Sequence, residues 1–158
     1  MRLHFFLYTI CLIFFSCNSK DQSQVFSDNK AKWIQVEKDL PEKDSLFYQD
    51  DPSPIFRKKI IINKKIKDAK LYITSAGYNA VFINDKRVGK NILDPAWTDF
   101  SKRIYYTEYD VADLLTQEHN VVNVMLGNGF YNPLPLKMWG WLNLRNELNV
   151  GKPKFILN

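Results

Sequence analysis

The sequence predicts an all-β fold, an antiparallel β-sandwich of jelly-roll type. Three observations carry that expectation. Short runs of β-branched and aromatic residues recur between turn signals, and the run at 69–74 alternates at period two. At most one stretch, 110–115, has helical character, and strands with so little helix pack as sheet on sheet. The composition is 46% hydrophobic and 15% aromatic over 158 residues, which suits a β-rich domain with a modest core.

The elements follow in order. Behind Arg2, the mostly apolar run 3–15 is too short to span a bilayer comfortably and matches the core of an export signal. Phe14-Phe15-Ser16-Cys17 is similar to a lipobox, with Phe14 where leucine is usual. Lipid on Cys17 would anchor the protein to a bacterial envelope; the alternative is an ordinary secretory signal cut nearby. Residues 1–16 are thus read as a lipoprotein signal peptide, 17–30 as a polar tether and 31–158 as the sandwich. Cys11 and Cys17 are the only cysteines, so disulfides and cysteine-held metals are excluded from the sandwich.

Within the domain, 31–36 reads as a first strand and 39–54 as a surface loop rich in acids and prolines. Residues 55–62 form a bulky strand, and 69–74 a half-buried one. Gly77 opens a bend into the apolar run 80–83, and Asn84-Asp85-Lys86 turns that run back as a hairpin. Asp94-Pro95 starts a turn, because proline pushes its predecessor out of the helical region. The segment 104–107 reads as a strand, Asp110 as the N-cap of a helical turn, and 120–126 as the strongest strand. Residues 153–158 read as the start of a further strand; a sandwich cut there would leave an unpaired edge.

The stretch Leu93-Asp94-Pro95-Ala96-Trp97-Thr98-Asp99-Phe100-Ser101-Lys102-Arg103 carries the first functional signal. Trp97 stands in a polar loop with Asp99, Lys102 and Arg103 nearby, as a sugar-binding surface requires: C–H faces stack on the ring while charged groups hold the hydroxyls. The same tryptophan could instead plug one end of the core, since Trp is usually buried. The stretch resembles the signature loop of the N-terminal β-domain of bacterial α-L-rhamnosidases, where it runs close to D-P-G-W-T-D-Y-S-K-R. Leu71-Tyr72-Ile73-Thr74, Phe82-Ile83-Asn84-Asp85-Lys86, Tyr109-Asp110-Val111, Asn120-Val121-Val122 and Leu126-Gly127-Asn128-Gly129-Phe130-Tyr131 extend the likeness in the right order. Asp85 replaces a glycine, but aspartate tolerates the left-handed backbone, so the hairpin is expected to survive.

The resemblance implies an accessory domain of a glycoside hydrolase that acts on terminal α-L-rhamnosides. Its catalytic acids would lie in a following (α/α)₆ barrel, outside this chain. Related modules hold L-rhamnose, sometimes with Ca²⁺. On that basis Trp97, Asp99, Arg103, Asn128 and Tyr131 are candidates to touch a rhamnose-containing glycan, and Asn79, Asn128 and the carbonyl of Pro133 are candidate calcium ligands. Asn128 between Gly127 and Gly129 could equally just shape a tight turn. Trp139-Gly140-Trp141 would extend the sugar platform or pack against the catalytic partner.

Other activities lack support. His4 lies in the signal and His119 in a turn beside Asn120, and there is no nucleophile triad, phosphate loop or His/Cys metal motif. Asp94, Asp99 and Asp110 read as turn formers rather than as the carboxylate pair that glycoside hydrolysis needs. The formal charge of +5 comes from Lys and Arg scattered among acids, so nucleic acid is not an expected partner.

Overall fold

The structure, a computed structural model, describes residues 25–26 and 31–158. The signal-peptide reading, Cys17 and most of the tether lie outside the described residues. Among the described residues ten strands carry the fold: β1 (Ile34–Gln35), β2 (Ile55–Ile62), β3 (Lys70–Ala76), β4 (Tyr78–Ile83), β5 (Lys86–Arg87), β6 (Thr107–Asp110), β7 (Glu118–Gly127), β8 (Lys137–Met138), β9 (Leu142–Asn143) and β10 (Lys154–Leu157). One short helix, α1, covers Leu144–Glu147. Two four-stranded sheets, ordered β1-β10-β3-β6 and β2-β7-β4-β5, form the sandwich, with β8 and β9 as a separate small hairpin. All these pairings are antiparallel, as the alternating runs predict.

The core follows from period-two alternation. Leu71 and Ile73 of β3 and Phe155 of β10 face Val81 and Ile83 of β4 and Val124 and Leu126 of β7, all buried. Each such aliphatic side chain contributes about 2 kcal/mol on burial. Phe56 of β2 meets Phe155 edge-on at 5.2 Å and ties the two sheets together. Beside that pair the packing opens into an apolar slot of about 580 Å³, reached by Ile60, Leu71, Val122 and Leu157.

The corners obey local chemistry. Gly77 joins β3 to β4 at φ +100°, and a Cβ there would stand 2.4 Å from the Gly127 carbonyl oxygen. Asn84 (φ 50°) and Asp85 (φ 64°) make the tight turn between β4 and β5, so the Asp-for-Gly replacement keeps the hairpin. Asn84 also donates to the Leu114 carbonyl and to Asn120 Oδ1, and its Oδ1 accepts from the Val121 N–H. Asn120, fully buried in β7, is satisfied by that Asn84 bond and by Thr116, whose N–H donates to its Oδ1 and whose carbonyl accepts from its Nδ2.

Five expectations need correction. The first strand is only Ile34–Gln35, and the loop at 39–54 contains a 3-10 turn, Asp44–Tyr48. The strand expected at 104–107 is instead Thr107–Asp110: pairing of Leu71 with Tyr109 sets its register, while Thr74 Oγ1 holds the Tyr105 carbonyl at 2.6 Å and draws 104–106 across the sheet. His119 lies in β7, opposite Ile61, rather than in a turn. The strand at the end of the sequence is not an edge, for β10 pairs with β1 on one side and β3 on the other.

Candidate functional site

The loop between β5 and β6 is built around one buried carboxylate. Asp94 accepts from Thr107 Oγ1 at 2.8 Å and from the Tyr109 hydroxyl at 2.7 Å. Its backbone carbonyl accepts from the Asn79 N–H at 2.7 Å and from Asn79 Nδ2 at 3.0 Å. Asn79 Nδ2 also donates to Ser75 Oγ at 2.9 Å. Asp94 therefore joins the loop to β4 and β6, and Asn79 carries the connection on to β3. Burial and the neighbouring carboxylate push the Tyr109 hydroxyl up to about 12, so it stays protonated as the donor. Gly89 makes room for that ring: a Cβ there would lie 2.2 Å from Tyr109 Cε1.

From this anchor the chain runs into the polar turn. Asp99 accepts from the Ser101 N–H at 3.0 Å and the Ser101 hydroxyl at 2.6 Å, and pairs with Lys102 at 3.2 Å. The Ser101 bonds, then Lys102, hold its carboxyl below the usual range. Its backbone carbonyl accepts from the N–H groups of Lys102 and Arg103, closing the turn. The Arg103 guanidinium lies 5.5 Å from the Tyr105 ring centroid. Asp110 is not the N-cap expected of it: it ends β6, Val111 takes the cap position of the 3-10 turn Ala112–Leu114, and the Asp110 carboxylate accepts from the Ala112 N–H two residues on.

Two aromatic contacts bring the second loop against the first. Trp97 meets Phe130 at 5.5 Å, and Phe100 meets Tyr131 edge-on at 5.1 Å. Trp97 and Tyr131 thus belong to one surface, on which Trp97 keeps 48% of its area exposed. It is not the core plug that its residue type favours. Asn128 is exposed on the same second loop, its Oδ1 accepting from Asn132 Nδ2 at 2.9 Å. Asn79 is buried and serves the Asp94 anchor.

Sequence reasoning missed Arg145. Its Nη1 donates to Asn132 Oδ1 and to the Pro133 carbonyl, each at 2.7 Å, and its Cζ stacks 4.1 Å from the Phe47 ring centroid. Burial draws this guanidinium below its ordinary value, with Asp44 opposing. Asn143 accepts from the Arg145 N–H at 3.0 Å and starts α1 there, a capping signal legible in Asn143-Leu144-Arg145. Nothing local points to carbonyls twelve positions earlier. Calcium does not fit at Pro133 as arranged, because the oxygen it would use already faces a guanidinium. No cluster of three or more His, Cys, Asp or Glu is arranged to hold a metal among the described residues.

Comparison with known proteins gives the family of the domain. Residues 64–157 match the family model described as the alpha-L-rhamnosidase N-terminal domain. Over 115 residues the chain is 34% identical to an alpha-L-rhamnosidase of Formosa agariphila, covering 65% of this chain and 12% of that one. The solved α-L-rhamnosidase of Dictyoglomus thermophilum superposes with a TM-score of 0.59 at 36% identity, covering 81% of this chain and 14% of its own. That of Aspergillus terreus gives 0.64 at 25% identity, covering 79% and 13%. The chain spans 12% to 14% of the length of these relatives. The match runs from the turn before β3 through β10 and takes in both loops of the candidate site, and the chain belongs to the α-L-rhamnosidase N-terminal domain family.

Proposed function

We propose that this domain is the substrate-positioning part of an enzyme that hydrolyses terminal α-L-rhamnosides, presenting rhamnose-capped glycans to a catalytic (α/α)₆ barrel. The observation that carries the reading is Trp97: its loop is pinned by a buried carboxylate, yet its ring stays half exposed. A fixed aromatic face beside exposed Asn128 and half-buried Tyr131 offers stacking and hydrogen bonding at low ordering cost. Asp99 and Arg103 lie on the same turn and would reach the sugar by leaving their present partners. Titration calorimetry with L-rhamnose tests this. Saturable binding is expected, weakened roughly 10-fold or more in Trp97→Ala, given about 1 to 3 kcal/mol for a stacked ring. No heat with the unmodified protein would sink it.

A second reading has its own observation. Trp139 and Trp141 are each 75% exposed on the β8–β9 hairpin, beside exposed Leu134 and Leu136, a surface suited to protein contact. On this reading the domain braces the barrel and binds no free sugar. Sedimentation of the isolated chain should then show self-association that Trp139→Ser with Trp141→Ser abolishes. For location, the reading is an exported lipoprotein anchored through Cys17, which predicts labelled palmitate on the wild type and none on Cys17→Ala.

A further inference from the structure

We infer that Arg145 is the resident cation of the loop at 128–133: its guanidinium holds the Pro133 carbonyl, one of the oxygens that the family resemblance marks for calcium, together with Asn132, so this domain orders the loop without metal. The geometry is closed from three sides. The Pro133 carbonyl and Asn132 Oδ1 both accept from the same Nη1 at 2.7 Å, in the range of charge-assisted bonds. Asn132 is buried, and its donors turn to Asn128: Nδ2 donates to Asn128 Oδ1 at 2.9 Å, and its N–H to the Asn128 carbonyl at 3.1 Å. The four oxygens a divalent ion would recruit here therefore already face N–H donors.

Arginine suits this post for physical reasons. It is always charged, it carries donors in a rigid fork, and it is weakly hydrated, so partial burial costs it less than it costs an ammonium. Both ends of the side chain are fixed. The Asn143 cap holds the Arg145 backbone at the start of α1, and Phe47 stacks under the guanidinium at 4.1 Å. A calcium ion at Pro133 would put two like charges within one residue's reach, and the arginine cannot neutralise itself to make way. The inference stands whether or not sugar binds at Trp97.

The test is thermal unfolding of the purified chain in millimolar calcium and in EDTA, with calorimetric calcium titration, for wild type, Arg145→Lys and Arg145→Met. Wild type should unfold at the same midpoint in both and give no saturable calcium heat. Arg145→Met should fall by roughly 5 °C in EDTA. Calcium, but not potassium at equal ionic strength, should restore part of that loss, and Arg145→Lys should lie between. Saturable calcium binding by wild type would overturn the inference, as would a folded Arg145→Met indifferent to calcium. Should Arg145→Met fail to fold in EDTA, recovery of its circular dichroism on adding calcium supports the inference, and no recovery overturns it.

Discussion

Three of the protein's four tryptophans sit at two places on its surface, and the two are supported in opposite ways. The Trp97 loop hangs from Asp94, whose carboxylate and carbonyl together accept four hydrogen bonds from Asn79, Thr107 and Tyr109. The hairpin that bears Trp139 and Trp141 is held by two strand pairs, Lys137 with Asn143 and Met138 with Leu142, and by a turn in which Trp139 and Gly140 take positive φ. One tryptophan is exposed on a fixed base; the other two are exposed at the tip of a short hairpin. A fixed ring suits recognition of a small rigid ligand, where ordering on binding would cost affinity. A pair of projecting rings suits a larger partner whose own surface completes the burial.

The contrast can be broken most forcefully at Asp94. Asp94→Ala strands the Thr107 and Tyr109 hydroxyls and the loop with them, and should cost about 3 kcal/mol in urea unfolding. If it costs no more than a surface change, the anchor is not what holds the loop. Tyr109→Phe removes the hydroxyl's bond to Asp94 and the longer one it accepts from Asn91, and should cost about 1 kcal/mol. This variant also reports through pH. Tyr109 ionises near 12 in the fold, against about 10 in the unfolded chain. Its contribution is whole below pH 10 and declines as pH rises toward 12, because the unfolded chain sheds the proton first. The stability gap between wild type and Tyr109→Phe should therefore narrow across that window, and a constant gap would contradict the burial of the hydroxyl. At the hairpin, Trp139→Ser or Trp141→Ser should stay within about 0.5 kcal/mol of wild type, the range of exposed substitutions. A larger loss would mean that these rings already pack within the domain.

Much of the frame was legible in the residues. The strand at 55–62 is present as read, and the turn at Asn84-Asp85 does what its residue types allow. The alternation of 69–74 and the apolar run at 120–126 are the two inner strands that supply Leu71, Ile73, Val124 and Leu126 to the core. What escaped was decided by residues far away in the chain. Ile104-Tyr105-Tyr106 has the composition of a strand, yet Thr74 captures Tyr105 and the pairing begins at Thr107. Asp94 looked like a turn former, and only the fold shows Tyr109 and Asn79 converging on it. In the candidate site, Trp97 and Tyr131 were named from motif alone, and the fold brings their loops together through Phe100 and Phe130. Arg145 could not have been found: its partners are backbone and amide oxygens that carry no pattern.

The position of β10 has a kinetic consequence. It pairs Phe155 with Ile34 and Ser75 on its two sides, so the first sheet joins segments roughly 120 positions apart. The second sheet contains nothing later than Gly127. On a ribosome, β2, β4, β5 and β7 can associate while β1 and β3 still lack the strand between them. The apolar faces of Leu71 and Ile73 would meanwhile be open to other chains. Folding of this domain is thus expected to be slow and to finish at its C-terminal strand, leaving the half-built sheet as the species most prone to aggregate.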